Sequence, residues 1–419
     1  MSSAPASALP LAAAPAVSDA KITARKAALA AAAGTAIEYY EFGVYGYLAS
    51  TIGPMFFPGD NAAASLLAIL AVFGSAFLMR PVGGIVLGRL GDRLGRRAIL
   101  LVTVIGMGVA TGLVGLLPTA ASAGLIAPVL LLLIRLAQGF FAGGEVTGAA
   151  AYVAESAPRG QRGFYGAFTP VGVAIGGALA ATVCGLSSFI LGAEQMQAWG
   201  WRIPFLMAIP MVIVSSMVRR RVEESVSFQQ FQAHHEPPKA PLSEVMREHG
   251  SSVLRVTLLA FGQNVGYWVG LVFMNLYLTT HLKYDKTTVY WILAFVSISM
   301  AILMPVFGAL SDRIGRRKVL AAGFIAYAVL VLPMMLLMDQ HNIGLAFLAM
   351  MVVALPLPIV QSVGYPTYAE QFPTRVRYTG MAFSFNIGAI VGGGVTPYVA
   401  TALIGQTGNL LMPGFLLMG

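Results

Sequence analysis

Long apolar runs separated by short polar stretches dominate this chain and predict a bundle of membrane-spanning α-helices. An α-helix needs roughly 20 residues to cross the hydrocarbon core of a bilayer. A twelfth run begins near Leu410, but only 414–419 follow Pro413, so we expect a truncated last helix. The eleven complete runs are 27–50, 63–88, 98–118, 125–150, 163–191, 201–218, 254–280, 287–310, 318–338, 343–366 and 378–403.

Two segments that lack this apolar pattern divide the chain. Residues 1–26 open without a basic stretch and are broken by prolines, so we expect a disordered cytoplasmic tail rather than a signal peptide. Residues 219–253 contain the breaker EPPKAP, and we expect a cytoplasmic linker with short amphipathic helices before it and over PLSEVMREH. The predicted halves are therefore 27–218, with six helices, and 254–419.

A sequence repeat indicates that the two halves share one architecture. GRLGDRLGRR at 88–97 returns as GALSDRIGRR at 308–317, and AESAPRGQRG at 154–163 is similar to AEQFPTRVRY at 369–378. The first pair follows the second predicted helix of each half, and the second pair follows the fourth. The sequence therefore predicts an all-α membrane protein made of two six-helix halves in tandem, with twelve helices in total.

Composition supports a membrane protein and explains the positive charge. The chain is 57% hydrophobic and 10% charged, with a net charge of +9, whereas soluble domains have about 25% charged residues. Most of the 26 Lys and Arg residues fall on one side of the membrane if the N-terminus is cytoplasmic, as the positive-inside rule requires. The excess of basic residues therefore indicates membrane topology and not nucleic-acid binding.

Several classes of chemistry lack the residues they require. The single cysteine, Cys184, excludes an internal disulfide, and the five histidines lie in loops without metal-ligand spacing. The chain contains no P-loop. We therefore expect no metal, no cofactor and no enzymatic activity, and we expect an ion gradient to drive any transport.

The repeated motif G-x-x-x-D-R-x-G-R-R and the stretch RLAQGF at 135–140 resemble the major facilitator superfamily. Within it, GTAIEYYEFGVYG, FLMRPVGG, QGFFAGGEVTGA, WGWRIPF and VEESVSF are similar to the metabolite:proton symporters, which include proline/betaine, shikimate, 2-oxoglutarate and citrate permeases. FGVYGYLA and NLLMPGFLLM resemble the proline/betaine branch. Two residues depart from the family pattern, because Glu41 stands where Asp is usual and Tyr39 where Trp is usual.

The resemblance implies a proton-coupled symporter that works by alternating access in the inner membrane of a bacterium. Its solute would be a small carboxylate-bearing metabolite, either an organic acid or a proline/betaine-like zwitterion. The expected partners are this solute, protons and the lipid bilayer, without nucleic acid, and the expected state is a monomer. A proton-coupled antiporter that exports its solute and a passive facilitator of the same fold stay open as alternatives.

Ionisable residues inside the predicted helices are the candidates for proton coupling. A charge at mid-bilayer costs about 2.5–3.5 kcal/mol even on a lenient scale, so it usually serves a function. With a rise of about 1.5 Å per residue, Glu38 and Glu41 share one face near the depth of Arg135, which we expect to meet them. Glu145 is expected to be a relay or a partner of Arg80. The proton-coupling candidates are Glu38, Glu41, Arg135 and Glu145, and a static ion-pair network is the alternative.

Neutral polar and aromatic residues are the candidates for solute recognition in the second half, whose predicted helices carry no Asp, Glu, Lys or Arg away from their ends. A guanidinium group suits bidentate binding of a carboxylate, and an aromatic ring suits a quaternary amine. Packing is the alternative for each aromatic residue. The substrate-binding candidates are Arg80, Arg135, Tyr39, Asn264, Tyr267, Trp268, Gln361, Tyr365 and Asn386.

The repeated loops are expected to form a cytoplasmic gate. Exposed salt bridges contribute only about 0–1 kcal/mol each, which is weak enough to break in every transport cycle. Glycines in the fifth and eleventh helices, such as Gly176 and Gly392, are expected to permit close helix approach. The gate candidates are Asp92, Arg93, Arg96, Arg97, Glu155, Arg162, Asp312, Arg313, Arg316 and Glu370.

Overall fold

Twelve helical segments, α1 to α12, build the part of the protein that the structure describes. The computed structural model describes residues 17–94, 96–220 and 241–418, with side chains for 21–87, 90, 99–217 and 242–418. Two short helices, Ala120–Ala123 and Pro241–Glu248, lie between these segments. The bounds are Val17–Phe56 (α1), Ala62–Leu94 (α2), Arg96–Leu116 (α3), Ile126–Ser156 (α4), Arg162–Gly200 (α5), Arg202–Leu206 with Ala208–Arg220 (α6), Gly250–His281 (α7), Lys286–Ile314 (α8), Arg316–Met338 (α9), Ile343–Glu370 (α10), Arg377–Thr407 (α11) and Met412–Met418 (α12).

The helices confirm the all-α membrane class. Nine helices in the described ranges are long and apolar enough to cross a membrane. The segment α1 has 40 residues but carries glutamates and tyrosines among its apolar residues, and α6 is a shorter apolar helix. The segment α12 has seven residues. Each of the eleven complete apolar runs therefore lies on a helix.

The beginning of the chain differs from the prediction. The helix α1 begins at Val17, so the expected disordered tail is wrong for residues 17–26. The last proline before this helix is Pro15, and the Ala-, Lys- and Arg-containing stretch after it consists largely of good helix formers. Residues 1–16 lie outside the described part of the chain.

The linker contains one described helix, at Pro241–Glu248. The other predicted linker helix falls in 221–240, which the structure does not describe.

Two ends of the bundle are distinguished below. The DR-loop face is the end that contains the repeated motifs at 88–97 and 308–317, and the opposite face is the other end. Helices α1, α3 and α5 run from the DR-loop face to the opposite face, while α2 and α4 run back. The same directions repeat in α7 to α11, because the halves repeat each other in sequence.

Glycines bring equivalent helices together in each half. A Cβ atom at Gly176 of α5 would lie 2.3 Å from the carbonyl oxygen of Ala36 in α1. A Cβ atom at Gly392 of α11 would lie 2.5 Å from the carbonyl oxygen of Phe261 in α7. Only glycine permits such backbone contact, so the predicted close approach is confirmed at both positions.

The halves also touch each other towards both ends of the bundle. Near the DR-loop face, a Cβ atom at Gly308 of α8 would lie 2.4 Å from the carbonyl oxygen of Gly163 in α5. Nearer the opposite face, a Cβ atom at Gly74 of α2 would lie 2.6 Å from the carbonyl oxygen of Gly394 in α11. The two halves are therefore in contact on either side of the molecular centre.

Candidate functional site

Five ionisable side chains lie in the interior of the first half. Glu38 and Glu41 come from α1, Arg80 from α2, and Arg135 and Glu145 from α4, and none is more than 1% exposed. Such burial is tolerated only where charges are paired, hydrogen-bonded or neutralised by protons. The environment of each residue therefore decides what it can do.

Glu38 is the partner of Arg80. Nη2 of Arg80 lies 3.0 Å from Oε1 of Glu38, and the guanidinium group stacks 4.6 Å from the ring centre of Phe42 and 4.5 Å from that of Phe77. The expectation that Arg80 pairs with Glu145 is wrong, because α2 turns Arg80 towards α1. A buried pair of this kind holds two helices in a fixed relation, since removing one partner leaves an uncompensated charge.

Arg135 makes no ion pair with any described residue. Its Nη1 donates to Oε1 of Gln138 at 2.9 Å and its Nη2 donates to the carbonyl oxygen of Phe73 at 3.5 Å. Its guanidinium group lies 4.2 Å from the ring centre of Tyr45. The predicted direct contact with the glutamates is therefore wrong, because Arg135 uses its donors on Gln138, one turn along its own helix, and on the α2 backbone.

Glu41 has a different environment from Glu38. Neither of its carboxyl oxygens accepts a hydrogen bond of standard geometry from the described residues. Its neighbours are Thr111 of α3 and, at longer range, Glu38 and Arg135. A buried carboxyl group without a salt bridge can hold a proton while the site is dry and release it when a cation or water reaches it.

Glu145 lies closer to the DR-loop face. Helix α4 is interrupted at Gly143 and Gly144, and Glu145 opens its second part, Glu145–Ser156. The hydroxyl group of Thr103 in α3 donates to Oε2 of Glu145 at 3.0 Å. The helix N-terminus also favours a carboxylate at this position. Glu145 is therefore separated from the pair of glutamates on α1 and has its own partners.

An aromatic cluster joins the two halves beside these charges. Trp268 of α7 is its centre, and it begins the π-helical stretch Trp268–Phe273. Its ring lies 5.1–6.0 Å from the rings of five other residues. π-Helical turns often occur at functional sites, because they shift side chains out of α-helical register. The members of the aromatic cluster are Tyr39, Phe42, Phe73, Phe77, Tyr267 and Trp268.

Three phenylalanines of this cluster were not predicted. In a membrane helix, Phe is usual at packing and lipid-facing positions, so its presence alone indicates nothing. The spacing offered a signal, because Phe73, Phe77 and Arg80 are four and three residues apart and so lie on one face of α2. The structure places that face against Phe42 and Trp268.

The other neutral candidates separate into two groups. Asn264 accepts from Nε1 of Trp268 at 3.3 Å, and Tyr365 lies beside Tyr39, so both belong to the centre. Gln361 accepts from Nε2 of Gln263 at 2.7 Å. Oε1 of Gln263 in turn accepts from the hydroxyl group of Tyr368 at 2.6 Å. Gln263 and Tyr368 were not predicted, and they hold Gln361 in a network within the second half.

A carboxylate of the second half caps a helix of the first half at the DR-loop face, and ion pairs within the second half surround it. Asp312 accepts hydrogen bonds from the backbone N–H groups of Gly163 and Phe164 at 2.8 and 2.9 Å, across the interface. Arg316 pairs with Asp312 at 2.9 Å and with Glu370 at 3.1 Å. The gate candidates Asp312, Arg316 and Glu370 therefore do lie together.

A second contact at this face includes a residue that was not predicted. Nη1 of Arg377 lies 3.4 Å from Oε1 of Glu155, which joins α11 to α4. Arg162 and Arg313 are exposed and make no ion pair with described residues. The side chains of the remaining gate candidates lie outside the described part of the chain; these are Asp92, Arg93, Arg96 and Arg97.

Asparagine and tyrosine side chains of the second half also close the molecule at both ends. We call the first pair the DR-loop latch: Asn386 donates to the carbonyl oxygen of Gly143 at 2.8 Å and Tyr378 to that of Gly144 at 3.3 Å. Asn386 was predicted to contact substrate, but the structure places its amide on the break in α4. Both carbonyl groups belong to the interruption of α4, and that of Gly144 also accepts from the backbone N–H group of Gly148 at 3.0 Å.

The second pair lies towards the opposite face, and we call it the opposite latch. Asn275 and Tyr290 both donate to the carbonyl oxygen of Tyr47, each at 3.1 Å. Nearby, Nζ of Lys286 donates to the hydroxyl oxygen of Thr51 at 3.2 Å. With both latches formed, the aromatic cluster is enclosed between the halves, beside the buried charges of the first half.

Comparisons with known proteins support this architecture. Residues 26–253 match the family described as sugar (and other) transporter, and residues 256–419 match the family described as major facilitator superfamily. The chain is 39% identical over 403 residues to the proline/betaine transporter of Salmonella typhimurium, covering 94% of this chain and 80% of the relative. It is 35% identical over 385 residues to the shikimate transporter of Escherichia coli, covering 91% and 88%.

A solved structure provides the matching fold. The crystal structure of a D-xylose–proton symporter superposes with a TM-score of 0.73 at 16% sequence identity, covering 94% of this chain and 96% of that one. At this level of identity the likeness concerns the arrangement of helices. The likeness therefore supports the fold alone.

Proposed function

Because this chain belongs to the major facilitator superfamily, we propose that it is a proton-coupled symporter that imports a small zwitterion of the proline or betaine type. Its matched relatives are transporters and not enzymes. Those relatives are bacterial, and nine described helices are of membrane length, which supports a place in a bacterial inner membrane. Two latches at the two ends of one site are what alternating access requires.

The observation that carries proton coupling is the environment of Glu41. It is a buried carboxyl group at the centre of the first half, it has no salt bridge with described residues, and Arg135 is nearby. Glu38 is held by Arg80 instead. In this proposal Glu41 takes up and releases the proton, and Glu38 with Arg80 provides a fixed electrostatic frame.

The substrate class is proposed from the groups that meet at the centre. The aromatic cluster offers ring faces to a substituted ammonium group, a contact worth about 0.5–2 kcal/mol. Nε of Arg135 donates to no described residue, so a donor is available for a carboxylate. The cation and the anion of one small zwitterion can thus be recognised by neighbouring groups, Trp268 and Arg135. A dicarboxylate would use the guanidinium groups but not the rings.

Energetics also favour a zwitterion with one proton. One elementary charge moved across 100 mV provides about 2.3 kcal/mol, which concentrates a solute of zero net charge roughly fiftyfold. A dianion would require more than two protons for inward movement of positive charge. A single proton site at Glu41 is therefore sufficient for the zwitterion and insufficient for the dianion.

Uptake into proteoliposomes tests the function. Purified protein is assayed with proline, glycine betaine, shikimate, 2-oxoglutarate and citrate, both under an imposed pH gradient and in counterflow. We expect gradient-driven accumulation of proline or betaine, lost in Glu41→Gln while counterflow persists. Glu194→Gln, at an exposed position, is the matched control and should accumulate normally.

Each other outcome has a definite meaning. Counterflow without gradient-driven accumulation in the unchanged protein would indicate a passive facilitator. Accumulation only under the reversed pH gradient would indicate an antiporter that exports. Accumulation that survives in Glu41→Gln would refute the role given to this residue.

A further inference from the structure

We propose that Gln138 and Thr111 form a directional hydrogen-bond relay through which Arg135 sets the proton affinity of Glu41. This inference rests on the proposed function, because it concerns the residue that carries the proton. It adds two residues, neither of them charged, to the coupling machinery. Both are almost fully buried, with Gln138 1% and Thr111 0% exposed.

The orientation of Gln138 follows from Arg135. A guanidinium group only donates hydrogen bonds, so the atom of Gln138 that faces it must be the carbonyl oxygen Oε1. That oxygen accepts from Nη1 of Arg135 at 2.9 Å. The amide nitrogen Nε2 then points the other way, from α4 to α3, and donates to the hydroxyl oxygen of Thr111 at 2.6 Å.

The orientation of the Thr111 hydroxyl group follows from Gln138. Its oxygen already accepts from Gln138, so its own proton is available to a further acceptor. Threonine in a helix often donates to a backbone carbonyl of the preceding turn. Thr111 donates to no described backbone carbonyl. Its proton therefore has no competing acceptor on its own helix.

Glu41 is the acceptor beside it. Ile37 of α1 packs against Val104 of α3, and these helices run in the same direction, so their following turns bring Glu41 next to Thr111. Both carboxyl oxygens of Glu41 still have acceptor capacity. A small rotation of the threonine side chain completes the chain from Arg135 through Gln138 and Thr111 to the carboxylate.

The relay connects two groups that make no direct ion pair. The charged and titratable groups that face Glu41 are Glu38 and Tyr40 on its own helix and Arg135 on α4. Helix α3 has no titratable side chain from 99 to 116 and contributes only the Thr111 hydroxyl group. When Arg135 leaves Gln138 to bind a substrate carboxylate, the amide is free to turn, and Thr111 loses the contact that aims its proton at Glu41.

Infrared titration of the buried carboxyl group tests the relay on purified protein. The band that is absent in Glu41→Gln identifies Glu41, and its pH midpoint is measured in Thr111→Val and Thr111→Ser. A donor to the ionised carboxylate favours the ionised form. We therefore expect the midpoint of Thr111→Val to rise by about one pH unit, while Thr111→Ser keeps the original midpoint because it keeps the hydroxyl group.

A second variant tests the order of the chain and protects against a folding failure at Thr111. Gln138→Met should raise the midpoint in the same direction, and the double variant Thr111→Val/Gln138→Met should equal Thr111→Val alone, because both changes cut one chain. An unchanged midpoint in both single variants, or full additivity in the double variant, would overturn the relay. The titration needs no transport, so failure of the relay is distinguishable from failure of proton-driven uptake.

Discussion

Glu38 and Glu41 show how one helical turn separates two chemical roles. They are three residues apart on α1, and both are 1% exposed. Glu38 forms an ion pair with Arg80 of α2, whereas Glu41 faces Thr111 of α3 and makes no salt bridge with described residues. The neighbouring helix, and not burial, makes the first residue structural and the second a proton-carrying candidate.

Replacing each glutamate by glutamine should therefore affect stability unequally. Glu38→Gln leaves the Arg80 guanidinium group buried without its counter-charge, and we expect the free energy of unfolding to fall by about 3–5 kcal/mol. Glu41→Gln resembles the protonated acid and should change it by less than about 1 kcal/mol. Thermal unfolding of the purified variants in detergent measures both. Equal losses would contradict the different environments.

At the scale of elements, irregular helix geometry occurs where the halves meet. Helix α4 is interrupted at Gly143 and Gly144, and α7 and α11 change to π-helix at Trp268–Phe273 and Ile390–Val395. The π-helical part of α11 places Gly393 against the Trp268 ring, where a Cβ atom would lie 2.7 Å from ring atoms. The aromatic cluster therefore depends on a glycine in a different helix.

Gly393→Ala tests this dependence. The added methyl group must displace Trp268, and overpacking of this kind costs typically about 1–3 kcal/mol. We expect a lower unfolding temperature and at least a several-fold rise in KM for the transported solute, since the ring is part of the proposed site. Gly405→Ala, in the same helix with nothing within 4 Å of the added atom, is the control. A normal KM in Gly393→Ala would separate Trp268 from recognition.

For the whole molecule, the two latches define what must break in each half of a transport cycle. Both latches use uncharged donors from the second half and backbone carbonyl groups of the first half. A hydrogen bond between neutral groups contributes about 0.5–1.5 kcal/mol net. That energy is small enough for solute and proton binding to shift the equilibrium between the conformation open at one end and the conformation open at the other.

Removing one latch should open only its own end. We expect Asn386→Leu to lengthen the distance between spin labels at Arg162 and Arg313 on the DR-loop face. Asn275→Leu should lengthen the distance between labels at Asn61 and Thr407 on the opposite face. Pulsed electron paramagnetic resonance measures both distances. The interpretation is wrong if either variant opens the other end, or if neither distance changes.

The sequence by itself determined the helices, the repeat and the set of buried charges. Runs of apolar residues reveal membrane helices because lipid requires apolar side chains along a fixed length. The cost of a charge in lipid also marks Glu38, Glu41, Arg80, Arg135 and Glu145 as interior residues without knowledge of their partners. The family resemblance was likewise readable, because its motifs are continuous stretches of sequence.

Only the tertiary structure decided which residues meet. Depth along a helix follows from its rise per residue, but the direction of a side chain towards one neighbouring helix or another depends on packing. Arg80 instead of Arg135 therefore reaches Glu38, and Asn386 reaches the break in α4 instead of the centre. The contact of Thr111 with Gln138 joins two helices whose sequences give no sign of each other.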